Sequence, residues 1–412
     1  MIIQRAYRTQ LNPTPSQIEA FIGHSDAVRW VWNWALAQRN AYYEHTGKHL
    51  PKGELIKQFR AGKREGHWPW LNPMNSRAEE AALDAQDRAF DRFWKQCRGE
   101  LPKPPPGKPR KDGKPRGYPR FRSRKEGVMS FCFWGLRPEH IDRDRIRLQG
   151  IGWVRLQEKG YLPTAARKVN RATVSERVGK WFVSVQVEEE VPDEVATGEP
   201  VGVDVGINTL AVVSDGREFE NPKALRKAQR KLARLQRKVA RQKKGSTRRE
   251  ETKRKIARLH YRVGNLRATA AHEVSAEIVG RHRPPEDRPA AVVIEDLNVV
   301  GMLQNGKLAR SISDAGFGEL HRQVTYKGEW AGVTVVKADK WFASSKTCSH
   351  CGYVVRGMGL GVRVFACPEC GFSASRDVNA ALNLKQVAEE SSETENARGG
   401  PGPREPQVVE AR

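Results

Sequence analysis

The sequence predicts a multi-domain α+β protein. A small β-barrel carries an inserted helical unit, and an α/β unit interrupted by a cysteine-rich segment follows. Three observations predict this. The 412 residues suffice for two or three domains at ~150 residues each. The apolar period is helical before residue 98, alternating after Val128, and mixed from Val201. Four cysteines stand in two C-x2-C pairs between an apolar strand and a helix start.

Taken in order, residues 2–11 read as a strand ended by Pro13 and Pro15. Residues 14–43 keep helical spacing through Ile18, Phe21, Ile22, Val28, Val31, Trp32, Ala35 and Leu36. Trp30, Trp32 and Trp34 face different sides of that helix, and at least two are expected in a core rather than on a base-stacking surface. Residues 55–59 and 76–94 read as further helices, so 13–98 form a helical unit. Residues 101–119 are rich in Pro, Gly and Lys and are expected not to pack. The runs MSFCFW, DRIRLQG, GWVRLQ, KVNRATVSERV and KWFVSVQVEE read as strands joined by short turns. Short strands without intervening helices suggest a barrel of residues 1–12 and 99–192, with the first strand joining it and 13–98 inserted. Residues 192–200 are a linker. VGVDVG and TLAVVSD then read as a hairpin, and 223–280 as a basic helical hairpin. The strands AAVVIED and VTVVKAD and a short helix over 377–384 complete a unit of 199–345 and 372–385, interrupted by 346–371. Residues 386–412 lack aromatics and read as a disordered tail.

The formal charge is +25, and two segments hold all of it. Residues 223–262 carry a net +16 and residues 103–125 a net +9. Two basic strips on an otherwise neutral chain point to a polyanion, with salt-dependent binding through released counterions. The candidate contacts are Arg120, Arg122 and Arg124 in one strip, and Lys227, Arg230, Lys231, Arg234, Arg237, Lys238 and Arg241 in the other. These loops are expected to order only with nucleic acid. No run of about 18 apolar residues suggests a membrane span, and no apolar stretch near the start suggests a signal peptide. Six cysteines do not make a disulfide scaffold. An intracellular, cytoplasmic protein with no membrane partner is expected.

Cys348, Cys351, Cys367 and Cys370 make C-x2-C-x15-C-x2-C, the spacing of a structural zinc site. Gly352 and Gly371 follow the pairs, where a left-handed residue is wanted. Four thiolates close the zinc shell, so this metal should hold the fold and do no chemistry. His350 reads as a solvated knuckle residue, and Cys97 and Cys132 as buried thiols. Three acids follow apolar strands or open a helix: Asp204, Glu295 and Asp377. Carboxylates that converge repel one another unless a divalent cation neutralises them, and hard oxygens favour Mg²⁺ or Mn²⁺. Two such ions would suit phosphodiester hydrolysis. Spacing alone does not bring the three together. Asp296 and Asp339 look similar but read as structural.

Taken together, the motifs resemble the TnpB family of transposon-encoded, RNA-guided nucleases and their relatives, the compact type V CRISPR effectors. The carrying motifs are LNPTPSQ, RWVWNWAL, GYPRFRSR, VGVDVGINTLAV, VVIEDLNV, KWFASSKTCSHCG and CPECGFSASRDVNAALNL, spread over roughly residues 1–385. The resemblance implies a RuvC-like nuclease domain of RNase H-like fold, with Asp204, Glu295 and Asp377 as catalytic acids binding two Mg²⁺ or Mn²⁺ ions. It implies a zinc ribbon on the four cysteines, and a β-barrel wedge domain with a helical recognition insertion. These would hold a guide RNA and read a short motif beside the target in double-stranded DNA. Many relatives carry Asp two residues before the last acid, where this chain has Ser375; a mild effect on metal affinity is expected. Hydrolysis by water would leave no covalent enzyme intermediate. Alternatives remain a compact CRISPR effector, a nuclease-inactive DNA-binding repressor, or a guide-independent junction resolvase. A transposase that joins ends is disfavoured, since no strand-joining nucleophile is recognisable.

Overall fold

Alternation along β1 (Ile2–Asn12) turns Ile3, Thr9 and Leu11 to the buried side of a sheet. The chain then breaks at Pro13, and Thr14 starts α1 (Pro15–Thr46) with a capping box. The Gln17 backbone N–H donates to Thr14 Oγ1 at 3.3 Å, and the Thr14 N–H donates to Gln17 Oε1 at 3.0 Å. The structure, a computed structural model, describes residues 1–397 apart from 105, 106, 108, 109, 111, 125–128, 340, 341 and 360. The chain forms two compact units, Met1–Val191 and Pro192–Arg412.

In the first unit, α2 (Lys52–Arg64) and α3 (Ser76–Cys97) follow α1. Strands β2 (Ser130–Trp134), β3 (Arg145–Leu148), β4 (Gly152–Leu156), β5 (Lys168–Arg177) and β6 (Lys180–Glu190) come next. The sheet order is β2-β5-β6-β1-β4-β3. The first strand therefore lies inside the sheet, paired with β6 from Ile2↔Glu190 to Leu11↔Trp181. The expected insertion of the helices between β1 and the other strands holds in chain order.

Four expectations need correction here. Among the described residues the sheet is a half-barrel, open between its edges β2 and β3, rather than a closed barrel. Closure needs the two edges to pair, and alternation within a strand fixes its buried face but not its edge partner. The helices are also not a separate body. One apolar core runs from Phe21, Val31 and Leu83 on the helices into Phe131, Phe133, Ile146 and Val183 on the strands. The basic strip after α3 is packed in part. Tyr118 sets its ring against Phe90 and Phe93, with centroids 5.3 and 5.2 Å away, and donates to Asn40 Oδ1 at 2.6 Å. Finally, Cys97 is exposed at the end of α3 and Cys132 is half-buried, because Phe131 and Phe133 take the core side of β2. Of the three indoles on α1, Trp32 is buried, while Trp30 and Trp34 pack edge-on against Trp68 at 5.0 and 5.4 Å.

The second unit opens with an antiparallel meander of β7 (Val201–Val205), β8 (Thr209–Val213) and β9 (Glu218–Glu220). The expected helical hairpin follows as α4 (Ala224–Arg241) and α5 (Thr247–Val279). Then come β10 (Ala291–Glu295), α6 (Val299–Met302), α7 (Ala309–Ala315), α8 (Phe317–Ala331) and β11 (Thr334–Ala338). The sheet order is β11-β10-β7-β8-β9, with β10 parallel to both β7 and β11. A two-stranded ribbon, β12 (Val364–Ala366) with β13 (Ser373–Ser375), precedes α9 (Arg376–Ala397).

One face of the larger sheet packs Val201, Val203, Val292 and Ile294 against Val274 and Ile278 of α5 and Leu320 and Val324 of α8. The other face packs Val293 against Leu384 and Ala388 of α9. Helix α9 is longer than the sequence suggested: it continues to Ala397, into the segment expected as a tail, and residues 398–412 lie outside the described residues. Helix α4 starts from Lys223 with φ +47° and no cap of its own side chain. Buried Asp314 of α7 supplies one instead, accepting from the N–H groups of Leu225 at 2.9 Å and Arg226 at 3.0 Å. The same carboxylate pairs with Arg267 of α5 at 2.9 Å, so one acid ties three helices.

Candidate active site

Side-chain alternation settles which acids share a face. Val201 and Val203 point to one side of β7, so Gly202 and Asp204 point to the other. Val292 and Ile294 likewise leave Val293 and Glu295 on the α9 side. The parallel register pairs Val293 with Gly202, and two residues further it sets Glu295 beside Asp204.

Helix α9 supplies the third acid. It crosses β7 at Gly202 so closely that a Cβ there would stand 2.1 Å from the Ala381 carbonyl oxygen and 2.4 Å from the Lys385 nitrogen. Glycine permits that approach. Asp377 lies four residues before Ala381, about 6 Å along a helix. Asp204 lies two residues beyond Gly202, about 6.6 Å along a strand. The two steps are alike in length, and the Asp377 charge acts on Asp204, as expected where both stand at the same end of β7.

The electrostatics agree with that placement. Burial, and then the Glu295 and Asp377 carboxylates, push the Asp204 carboxyl up to about 8, while Arg376 pulls the other way. A group of like charges that holds a proton near neutral pH is short of a cation. Its donors are all hard oxygens, with no thiol or imidazole, which suits Mg²⁺ or Mn²⁺. The carboxylates are spread more widely than one compact ligand shell. Among the described residues, only the four cysteines form a set of three or more such groups within 4.8 Å of one another.

The cysteine site is tighter. Cys348 Sγ lies 3.7 Å from Cys370 Sγ, and Cys351 Sγ lies 3.6 Å from Cys367 Sγ. Four sulfurs about 2.3 Å from one zinc stand about 3.8 Å apart, so the quartet fits a structural zinc. Each knuckle closes as the glycines suggested, with Gly352 at φ +74° and Gly371 at φ +72°. The Gly352 N–H donates to the Cys348 carbonyl at 2.9 Å, and the Gly371 N–H to the Cys367 carbonyl at 3.1 Å. His350 is exposed beside Phe372.

The two basic strips differ. Lys227, Arg230, Lys231, Arg234, Arg237, Lys238 and Arg241 are exposed along one face of α4, and among the described residues none pairs with an acid. In the other strip, Arg122 lies 3.5 Å over the Trp32 ring, and Asn33 exchanges hydrogen bonds with the Arg122 backbone at 2.7 and 3.0 Å. Trp32 Nε1 donates to the Arg120 carbonyl at 2.8 Å, and Arg124 approaches Asp26 at 3.7 Å. Aromatic and amide partners on α1 thus dock residues 120–124. Lys108, Lys111 and Lys125 of that strip lie outside the described residues. Asp296 pairs with Lys337 at 3.8 Å and both Asp296 and Asp339 are exposed, in keeping with a structural reading. Ser375 is exposed in β13, opposite Val364.

Sequence reasoning missed three residues that frame the site. Buried Ser344 donates from Oγ to Glu295 Oε1 at 2.7 Å. Buried Asn383 of α9 donates to the Ser344 carbonyl at 2.8 Å and the Thr347 carbonyl at 2.7 Å. Buried Asn379 donates to the Thr347 carbonyl at 2.7 Å and accepts from the Ser349 N–H at 3.0 Å. The available signal was two Asn four apart on an otherwise apolar helix face.

Three comparisons bear on this arrangement. A family model described as "Probable transposase" matches residues 182–306, one described as "Cas12f1-like, TNB domain" matches 317–384, and one described as "Helix-turn-helix domain" matches 1–48. In the structure the last of these spans β1 and the single helix α1. A Streptomyces pristinaespiralis protein named "Putative RNA-guided DNA endonuclease" is 33% identical over 93% of this chain and 89% of its own length. An Escherichia coli K12 protein named "Putative RNA-guided DNA endonuclease InsQ" is 31% identical over 92% of this chain and 91% of its own. The solved structure titled "Structure of the mini-RNA-guided endonuclease CRISPR-Cas_phi3" shares the fold, with a TM-score of 0.50 at 10% identity, over 94% of this chain and 92% of that one.

Proposed function

The chain belongs to the TnpB family, and from that premise we propose that it is an RNA-guided, divalent-metal-dependent DNA endonuclease. It cuts guide-matched double-stranded DNA beside a short flanking motif, through one site formed by Asp204, Glu295 and Asp377. The observation that most supports this reading is the raised Asp204 carboxyl, held between two further acids in a chain of charge +25. The order of three antiparallel strands and two parallel ones, covered by α9, supports an RNase H-like assignment for the second unit. We assign guide-RNA holding and motif reading to the first unit, and a structural zinc to the cysteine quartet.

The residues divide the work. The exposed cations of α4 bind backbone phosphates without regard to sequence, and the guide selects the target by pairing. Asp204, Glu295 and Asp377 would hold two Mg²⁺ or Mn²⁺ ions, which supply activation of water and stabilisation of the leaving oxygen. Asp204 must give up its proton for this, and Arg376 favours that loss. Ser344 hydrogen-bonds Glu295 Oε1, so Oε2 would remain available to a cation. Among the described residues no helix is long and apolar enough to cross a membrane. The cytoplasmic location is proposed and rests on the relatives named as DNA endonucleases. The match to the Cas12f1-like domain model favours a second reading on the same chemistry, in which a CRISPR array supplies the guide.

Co-purifying the protein from its own locus and sequencing the bound RNA separates these readings. One RNA running into DNA that flanks a mobile element supports the first, and many spacers on a constant scaffold support the second. With the RNA in hand, Asp204→Ala should lower Mg²⁺-dependent cleavage on the order of a thousandfold or more while guide binding persists. Undiminished cutting by that variant would remove the site assignment.

A further inference from the structure

We infer that Ser344 is a positioning residue that sets the divalent-metal affinity of the acid site by orienting Glu295, and that it takes its own position from α9. The inference rests on the nuclease reading above. Glu295 is the last residue of β10, and backbone pairing there does not fix a side-chain rotamer. What fixes it is the Ser344 hydroxyl, 2.7 Å from Oε1 on a side chain that is almost fully buried. A serine hydroxyl donates to a carboxylate at full charge and competes for only one oxygen. It therefore leaves the other oxygen available to a cation without neutralising the group.

Ser344 itself lies in a stretch without regular structure, between β11 and the first cysteine knuckle. Its backbone is tied by Asn383 Nδ2, which also holds the Thr347 carbonyl, while Asn379 holds both Thr347 and Ser349. Asn379 and Asn383 stand on the helix whose first turn carries Asp377. The same few hydrogen bonds thus seat the entry to the cysteine site on α9 and relay that seat to Glu295. Glu295 and Asp377 are then registered to each other through Ser344 as well as through the packing of α9 on the sheet. Partners of metal-ligating carboxylates typically change affinity or activity by about 10–100-fold when removed.

The test compares the full-length protein with Ser344→Ala, Ser344→Thr and Glu295→Gln. Mn²⁺ binding is measured by titration of the RNA-free protein, and cleavage is measured separately at increasing Mg²⁺. Zinc content and melting temperature report folding. Ser344→Ala should weaken Mn²⁺ binding about 10-fold or more, raise the Mg²⁺ needed for half-maximal cutting, and leave zinc content and guide binding unchanged. Ser344→Thr, which keeps the hydroxyl, should restore Mn²⁺ affinity to within a few-fold of the parent. Asn383→Ala provides a second approach: it leaves the hydroxyl in place but unseats it, and should weaken Mn²⁺ binding in the same direction. Parental Mn²⁺ affinity in Ser344→Ala, with Glu295→Gln impaired in binding and cutting, would overturn the role of Ser344 and leave the nuclease site standing. Parental binding and cutting in Glu295→Gln as well would overturn the site itself.

Discussion

The cysteine quartet and the acid trio lie in the same unit, yet they are built in opposite ways. The quartet is local: its four ligands fall within 23 residues of chain, and each knuckle is closed by its own backbone hydrogen bonds. The trio is assembled at long range, from β7, β10 and α9, by a strand register and one close helix crossing. The sulfurs already stand at the spacing zinc requires, whereas the carboxylates repel one another. A local motif becomes a site once its turns form. A dispersed one requires that the whole sheet and its covering helix be in place, and it remains under electrostatic tension until a cation arrives.

The sharpest way to break this comparison is to remove zinc. Structural zinc is worth about 10 kcal/mol or more to the segment that binds it. Chelation should release residues 346–371 to rapid amide exchange while β7, β8 and β10 stay protected. Loss of protection throughout the unit would mean that the two centres are not separately assembled. Next comes Gly202→Ala. The added Cβ meets backbone atoms of α9, which cannot move aside singly, so roughly 3 kcal/mol of stability should be lost in urea unfolding. Cleavage should fall with it, because α9 carries Asp377, and zinc content should not change. A silent Gly202→Ala would show that the crossing is looser than drawn.

The smallest effect is a matter of pH, and its sign differs between the centres. Asp204 has a folded pKa of about 8 against 3.8 when unperturbed, so between those values the folded state binds more protons than the unfolded one. Its contribution is complete below pH 3.8 and lost as pH rises through about 8, by at most ~1.4 kcal/mol per pH unit. With zinc bound and no Mg²⁺ present, stability should decline from pH 6 to pH 8, and Asp204→Asn should flatten that slope. The cysteine centre moves the other way, because protons displace zinc from thiolates as pH falls. Identical slopes in the parent and Asp204→Asn would place the proton elsewhere.

Legibility followed the same division between local and distant. The knuckles, the capping box of α1, the helical hairpin and the strands could be read because each depends on neighbours in sequence. The three acids could be picked out as types at strand ends, but their meeting depends on Gly202, whose role appears only when α9 is laid over it. Ser344 was passed over because a lone serine before a cysteine motif carries no periodicity. The docking of residues 120–124 was missed for a related reason: a Pro/Gly/Lys-rich composition speaks against a core, but it does not register Trp32 and Asn33 waiting on α1. The closed barrel was misjudged because alternation marks the buried face of each strand and not which edges meet.

The place of β1 has a consequence for how the protein is made. Its pairing partner β6 ends at Glu190, opposite Ile2, so the ribosome must add almost all of the first unit before its first strand finds a neighbour there. At 5–20 residues per second that wait is roughly ten to forty seconds. Through it, α1 emerges with Phe21 and Val31 facing strands that have not yet been translated. Synthesis of this unit therefore has a long vulnerable interval, during which chaperones would have the strongest claim on the nascent chain.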